Sequence, residues 1–236
     1  MTTIDLETLE LHSGSHSPDG VMCLLEAVSQ FNNEPWSDSP ASVSPVLAAY
    51  GRSWNDGMRS NEERASLKQY IPLLVGTAGN PAADEQRSWI ALDWLVRVHT
   101  VAWLRLAGGS CATHAAALAA LPAIMNSDLA QSAQPAIDAA WDAARAAAGD
   151  AWDAAWAARA AAWAAGAAAR DAWDAAGDAR AAAWAAARAA AGDAGAARAA
   201  GAALEPIVIE LQASAHDLFR RMIAADGTPS AWEKAR

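Results

Sequence analysis

Cysteine is scarce in this chain, and the signatures of several common site types are missing. The two cysteines, Cys23 and Cys111, are too few for a disulfide framework and are not spaced as metal ligands. The sequence has no glycine-rich phosphate loop, no HExxH pair and no GxSxG turn. His12, His114 and His216 are isolated from one another and from other ligand types. We therefore expect no metal and no other cofactor.

Long apolar runs are also absent. Residues 1–11 carry three acidic side chains and no apolar stretch, which is not the pattern of a signal peptide. Even the most alanine-rich part of the chain has an ionised side chain about every eleven positions or sooner, too often for a membrane-spanning helix. We expect a cytoplasmic protein that does not bind membranes, in a reducing compartment that suits its few cysteines.

Positive charge is in the minority. The chain has 17 basic and 27 acidic residues and a net charge of −10, and residues 1–134 hold 14 acidic against 7 basic residues. No cluster of lysine and arginine interrupts this excess. A surface of this kind repels phosphate backbones and anionic lipids. Nucleic acid is therefore disfavoured as the main partner, and we expect none to bind.

Alanine and tryptophan are abundant instead. Alanine occupies 41 of the 68 positions from 136 to 203, and the chain has 12 tryptophans. Alanine has the best helix propensity but little side chain to bury, so the larger apolar residues must form the core elsewhere. We predict an all-α fold with four parts. These are a compact helical body (1–134), an alanine-rich rod (135–203), a packing helix (204–225) and a flexible tail (226–236).

Helix starts in the body are marked by a capping residue followed by proline. The pairs Ser17-Pro18, Ser44-Pro45 and Asn80-Pro81 have this pattern. The predicted helices span residues 20–31, 46–56, 61–70, 82–106, 110–121, a short stretch after 126, the rod from 135, and 207–225. Residues 4–11 partly alternate between apolar and polar and predict a short strand.

The rod has a regular arrangement of large side chains. On an ideal helix of about 100° per residue, its tryptophans and four of its arginines fall in one arc about 100° wide. Aspartates fill the adjoining arc, and the remaining third is almost pure alanine. We call the ten residues of the first arc the Trp/Arg stripe. They are Trp141, Arg145, Trp152, Trp156, Arg159, Trp163, Arg170, Trp173, Trp184 and Arg188.

Two arrangements of the rod remain open. Tryptophans recur about every eleven residues, which is close to three turns of a helix. This spacing favours one long helix that packs as a coiled coil through its alanine face. Pairs such as Trp141 and Arg145 are close enough for cation–π contact. In contrast, Gly149-Asp150, Gly177-Asp178 and Gly192-Asp193 resemble helix ends followed by new caps, which would give a stack of shorter helices. The unbroken phase of the stripe favours the long helix.

Six exposed indoles would be unfavourable in water, so we expect them to contact another surface. We expect a non-enzymatic helical interaction or scaffold protein that forms homo-oligomers, binds another protein, or docks the stripe on its own body. A second hypothesis is a binder of a small anionic molecule. Its pocket would be lined by aromatic and cationic side chains of the longest body helix, namely Trp94, Arg97, Trp103 and Arg105.

A third hypothesis is an enzyme that uses Cys23 as a nucleophile. Cys23 lies near a predicted helix start, with His16 and Glu26 close in sequence. Core packing is the simpler interpretation of this thiol, since its neighbours are apolar. For Asp93 and Arg97 the simpler interpretation is a buried i,i+4 pair in which each side chain satisfies the other.

Several short segments carry a resemblance to a known group. They are GVMCLLEA (20–27), EPWSD (34–38), SPV (44–46), SWND (53–56), IPLLVG (71–76), DWLVR (93–97) and LEPI (204–207). In these segments the chain resembles uncharacterised helical proteins of high-GC actinobacteria and their bacteriophages that have an alanine-rich C-terminal half. The resemblance covers about the first 110 residues and the final helix. It implies a helical fold but no activity and no site residues.

Overall fold

Helices dominate the part of the chain that the structure describes. The computed structural model describes residues 4–18, 20–147, 186 and 204–225. The predicted all-α fold is confirmed there. The helices are α1 (Leu24–Phe31), α2 (Pro45–Gly57), α3 (Asn61–Arg64, continued as a 3-10 turn over Ala65–Tyr70), α4 (Ile71–Leu74), α5 (Pro81–Trp94), α6 (Thr100–Ala107), α7 (Gly109–Ala119), α8 (Ser127–Ala147) and α9 (Glu205–Ala224).

Three helices begin at a capping side chain, and the predicted caps Ser44 and Asn80 are two of them. Ser44 accepts the N–H of Leu47 at the start of α2, and Asn80 accepts the N–H of Ala83 at the start of α5, with a proline in the first turn of each helix. At the start of α8 the Asn126 side chain accepts the N–H of Leu129 at 2.9 Å. Local capping chemistry therefore sets these boundaries.

The prediction that Ser17 and Pro18 open the first helix is wrong. These residues form a turn in which the N–H of Gly20 donates to the carbonyl of Ser17 at 3.1 Å. Helix α1 begins at Leu24, and Cys23 is its N-cap. The Glu26 side chain accepts the N–H of Cys23 at 2.8 Å, which completes a capping box at this residue instead of a cap at Ser17.

The strand predicted over residues 4–11 is also wrong. Asp5 caps a turn, since its carboxylate accepts the N–H of Glu7 at 3.0 Å and the hydroxyl of Thr8 at 2.9 Å. A carboxylate that bonds the backbone two residues later favours a turn over extended pairing. Only an isolated parallel bridge between Leu11 and Met22 is extended in this segment.

The helix predicted over residues 82–106 is continuous but changes its winding. A π-helical segment, Leu95–His99, joins α5 to α6. The backbone N–H of Thr100 donates to the carbonyl of Leu95, five residues earlier, as in a π-helical turn, and the Thr100 hydroxyl donates to the same carbonyl at 2.8 Å. Gly108 then ends α6 with a φ of +68°, a conformation that glycine adopts without strain.

Helix α9 lies at the centre of the core. The hydroxyl of Tyr50 donates to the carbonyl of Ala215 at 3.3 Å, and the indole N–H of Trp54 donates to Gln212 at 3.1 Å. Its buried side consists of six residues. They are Val208, Leu211, Ala215, Leu218, Phe219 and Met222. The last helix of the described chain therefore holds together elements from the first half.

Close helix packing centres on Gly51 of α2. A Cβ atom placed on Gly51 would lie 3.0 Å from a methyl of Leu25 and 3.3 Å from a methyl of Leu24. It would also lie 3.6 Å from the ring of Phe219. The missing side chain therefore lets α1 and α9 approach α2 together.

Helix α8 begins earlier than the rod was predicted to begin. It starts at Ser127 and passes through Pro135 without ending. Pro135 is exposed, so the carbonyl of Gln131 that loses its intrahelical partner is left at the solvent-facing side. One continuous helix therefore joins the body to the first residues of the Trp/Arg stripe.

Candidate functional site

A buried carboxylate organises the region in front of α1. Glu26 is 1% exposed. It accepts the backbone N–H of His16 at 2.6 Å, contacts the His16 ring nitrogen Nδ1 at 2.9 Å and accepts the N–H of Cys23 at 2.8 Å. Burial alone raises the pKa of this carboxyl, but the hydrogen bonds from Cys23 and His16 outweigh it and lower the pKa overall. Glu26 is therefore a charged anchor for the preceding segment.

The structure brings together Cys23, His16 and Glu26, as the third hypothesis expected, but not as a nucleophile and its base. Burial raises the pKa of the Cys23 thiol to about 12, and the nearby charge of Glu26 contributes to the rise. The imidazole of His16 bonds the carboxylate of Glu26, while the indole N–H of Trp36 holds the His16 carbonyl at 2.9 Å. A thiol with this pKa is not ionised near neutral pH, so the cluster fixes the chain before α1.

The aromatic candidates of the second hypothesis lie inside the core. Trp94 donates its indole N–H to Ser214 of α9 at 3.0 Å, and Trp103 donates to Nε2 of His99 at 3.2 Å. The His99 ring lies between the two indoles, with ring centroids 5.2 Å and 6.4 Å apart. Arg105 is exposed on α6. The two indoles are thus engaged in packing rather than turned towards a pocket with Arg105.

Only part of the Arg97 guanidinium forms hydrogen bonds with the described residues. Its Nη1 donates to Asp93 at 3.0 Å, which confirms the predicted pair, and Asp93 also accepts the backbone N–H of Ile124 at 2.9 Å. Among the described residues, the buried Nε of Arg97 has no hydrogen-bond partner. A buried donor without an acceptor is costly, so an oxyanion placed beside this edge would gain a charge-assisted hydrogen bond.

The first two members of the Trp/Arg stripe pair as predicted. The guanidinium of Arg145 lies 4.8 Å from the ring centroid of Trp141 and 3.6 Å from the carboxylate of Asp142. Arg145 is 59% exposed. The other eight members lie outside the described residues. They are Trp152, Trp156, Arg159, Trp163, Arg170, Trp173, Trp184 and Arg188.

The side of α8 that faces the core consists mostly of alanine. In α8 the buried positions after Ser127 are Ala130, Ala133, Ile137, Ala140 and Ala144. Asp138 and Asp142, in the aspartate arc, are exposed. Ala186 is helical and fully buried in the core cluster. Small side chains thus allow close helix contact, and the charged arc is left to solvent.

Sequence reasoning missed a polar cluster between the 3-10 turn and α9. Nδ1 of His216 lies 2.8 Å from the hydroxyl oxygen of Tyr70, and Nε2 lies 3.4 Å from the hydroxyl of Ser66. The interplanar angle between the rings of Tyr70 and His216 is 23°. Ser66 and Tyr70 share one side of a helical turn, but no signal in the sequence links them to a histidine about 150 positions away.

No metal centre is evident in the described ranges. There, no group of three or more histidine, cysteine, aspartate or glutamate side chains is arranged to hold an ion. The described helices are all too short or too polar to cross a membrane. Comparison of the chain with protein-family models, curated proteins and solved structures finds no match.

Proposed function

We propose that this chain is a non-enzymatic helical interaction protein that self-associates through the Trp/Arg stripe. The observation that carries the proposal is the course of α8. The helix buries Ala140 and Ala144 against the body, while the exposed Arg145 lies over the ring of the half-buried Trp141. A stripe that begins at the edge of the core, in an alanine-rich sequence, is suited to contact another helix in a coiled-coil manner.

Charge supports association with a like chain. Arg145 lies 3.6 Å from the carboxylate of Asp142, so a cation and an anion lie side by side on the exposed part of α8. Two such helices placed antiparallel would set the arginine arc of one against the aspartate arc of the other. The guanidinium of Arg145 covers part of the Trp141 ring, and this reduces the apolar surface that an isolated chain exposes.

The oligomeric state of the full chain tests this proposal. We expect multi-angle light scattering to give a mass at least about twice the 24.4 kDa of one chain. Replacing the six stripe tryptophans by alanine, which preserves helix propensity, should return the mass to that of a monomer. A matched control replaces the same six tryptophans by phenylalanine, which keeps an aromatic apolar surface, and retains the oligomer. A monomeric wild type at high protein concentration rejects self-association.

A second candidate function is the binding of a small anionic molecule at Arg97. The observation that favours it is the buried Nε of Arg97, which has no acceptor in the described part of the chain while Nη1 is committed to Asp93. Carboxylate and phosphate groups match the free edge of such a guanidinium. Native mass spectrometry of the purified chain, followed by titration with phosphate and acetate, tests the idea. Arg97→Lys should abolish binding, and Arg105→Lys should not.

A cytoplasmic location in a high-GC bacterium or its phage is part of the main proposal. Both cysteines are free and buried, which suits a reducing compartment. The alanine, arginine, glycine, aspartate and tryptophan of the rod all use GC-rich codons. Alkylation of both thiols after unfolding of protein from a cytoplasmic extract would support the location. A disulfide between them would contradict it.

A further inference from the structure

The cluster of Ser66, Tyr70 and His216 has the geometry of a hydroxyl beside an oriented base. Ser66 is exposed, while the His216 ring is half-buried. The ring packs against Trp54 at a centroid distance of 4.6 Å and stacks on Tyr70 at 5.8 Å. Its Nε2 is the nitrogen that faces Ser66, at 3.4 Å. An imidazole held on two sides by aromatic rings keeps this nitrogen directed at the hydroxyl.

One hydrogen-bond arrangement of Tyr70 lets His216 accept a proton from Ser66. In this arrangement the single phenol proton of Tyr70 is donated to the backbone carbonyl of His216 at 3.3 Å. Its oxygen, 2.8 Å from Nδ1, can then accept from an Nδ1–H group. With the proton on Nδ1, Nε2 has a free lone pair directed at the Ser66 hydroxyl. This is the arrangement of a nucleophile, a base and an orienting group.

Burial and then a nearby positive charge favour the neutral form of the imidazole. Burial lowers the pKa of His216 below its usual value, and the positive charge of Arg220 lowers it further. The same Arg220 donates to the side chain of Gln69 at 3.4 Å, which places a cation beside the cluster. Asp217 also acts on the cluster, but burial is the main cause of the raised pKa of Tyr70. Near neutral pH the cluster therefore holds a neutral base and a neutral phenol.

We propose that Ser66 is a nucleophilic serine that accepts acyl groups from esters, with His216 as its base. Ser66 Oγ attacks the ester carbonyl, and its proton passes to Nε2 of His216. The new bond joins Oγ to the acyl carbon, the bond from that carbon to the alcohol oxygen breaks, and the departing oxygen takes the proton from Nε2. Arg220 is near enough to the cluster to favour the negative charge on the carbonyl oxygen. The proposal describes a single acylation of each chain and not turnover, so it goes beyond self-association, does not depend on it and does not make the chain an enzyme.

Acetylation by p-nitrophenyl acetate tests this on the full chain. We expect release of nitrophenol with one acetyl group per chain, located on Ser66 by peptide mass mapping. The rate should rise with pH around a midpoint below the usual pKa of a histidine, 6.5, because His216 must be neutral to act as a base. His216→Gln should slow acetylation of Ser66 by about 100-fold or more. Ser66→Ala, at an exposed position, should abolish it without loss of helix content.

Matched variants separate this reaction from general surface acetylation. Ser132→Ala removes another exposed hydroxyl and His114→Gln another half-buried imidazole, and neither should change the rate at Ser66. Tyr70→Phe should lower both the rate and the pH midpoint, because the phenol oxygen also stabilises the protonated ring. A merely structural Tyr70 would leave the midpoint in place. Acetyl groups distributed over several serines, or an unchanged Ser66 rate in folded His216→Gln, would overturn the proposal.

Discussion

Arg87 of α5 caps the end of α9 by donating from Nε to the carbonyl of Met222 at 3.0 Å and from Nη2 to the carbonyl of Ala225 at 3.1 Å. Its third nitrogen, Nη1, bonds the carbonyl of Thr77 at 3.0 Å and the carboxylate of Asp84 at 2.7 Å. The last carbonyls of a helix carry partial negative charge and lack intrahelical donors. One buried guanidinium therefore ties the end of α9 to α5.

Arg87→Ala should reduce the free energy of unfolding by about 3 kcal/mol, because it leaves buried carbonyls without donors and Asp84 without its cation. Urea denaturation at neutral pH measures this loss. Arg52→Ala is the matched control, since Arg52 bonds the carbonyl of Asp38 at a less buried position and should cost less than about 1 kcal/mol. Equal losses of stability in the two variants would show that the hydrogen bonds of Arg87 to the end of α9 contribute no more than those of a less buried arginine.

Glu26→Gln should reduce the free energy of unfolding at neutral pH by about 1–3 kcal/mol, because an amide keeps one acceptor where three donors converge. The folded-state pKa of Glu26 is lowered from its ordinary value of 4.5. Its ionisation therefore stabilises the fold above about pH 4.5, and this stability is lost as the pH falls through the lower folded-state pKa.

The difference between wild type and Glu26→Gln should accordingly shrink as the pH is lowered below 4.5. Glu210→Gln, at an exposed position of α9, serves as control and should change stability little at any pH. Urea melts of the three proteins at several pH values give the comparison. A constant difference between wild type and Glu26→Gln would show that the charge on Glu26 does not matter.

Cys23 should react with iodoacetamide at neutral pH far more slowly than a free peptide thiol, because burial raises its pKa to about 12. Burial also raises the pKa of Cys111, so both thiols should stay unmodified in the native chain. Unfolding in urea should make both react fully, as intact mass would show. Rapid native alkylation of Cys23 would restore the enzyme hypothesis.

Gly51→Val should reduce the free energy of unfolding by about 1–3 kcal/mol, because its branched side chain would overlap Leu24, Leu25 and Phe219. Gly51→Ala should cost less, since alanine adds a single methyl and favours the helix. Ser53→Val, at a half-buried position of the same helix, provides the control for introducing valine into α2. Thermal melts followed by circular dichroism rank the three. A Gly51→Val variant as stable as Ser53→Val would contradict the close packing.

Local signals allowed much of the fold to be predicted. Ser44 and Asn80 start helices because each side chain needs only an N–H three residues later in its own chain segment. The pairing of Asp93 and Arg97 follows equally from spacing. The same kind of signal failed at Ser17, because the helix is capped at Cys23, where Glu26 accepts the N–H, and cysteine is a residue type that rarely occupies that position.

Long-range contacts could not be predicted. Ser66 and His216 are about 150 positions apart, and nothing local in either segment requires the other. The hydrogen bonds of Arg87 to the end of α9 could not be predicted either, because every residue has a backbone carbonyl and the sequence does not indicate which one is bound. The continuation of α8 through Pro135 shows a related limit. A proline at an exposed position costs a helix less than its general propensity implies.

The central position of α9 has a consequence for biosynthesis. Tyr50, Trp54 and Trp94 are made early, but their polar atoms bond residues 212–215, which leave the ribosome only after the whole alanine-rich segment. Until then a nascent chain presents these aromatic rings without their cover. Ribosome-bound intermediates with uncovered aromatic surface are targets for chaperones. Production of this protein should therefore depend on chaperone capacity more than its size suggests.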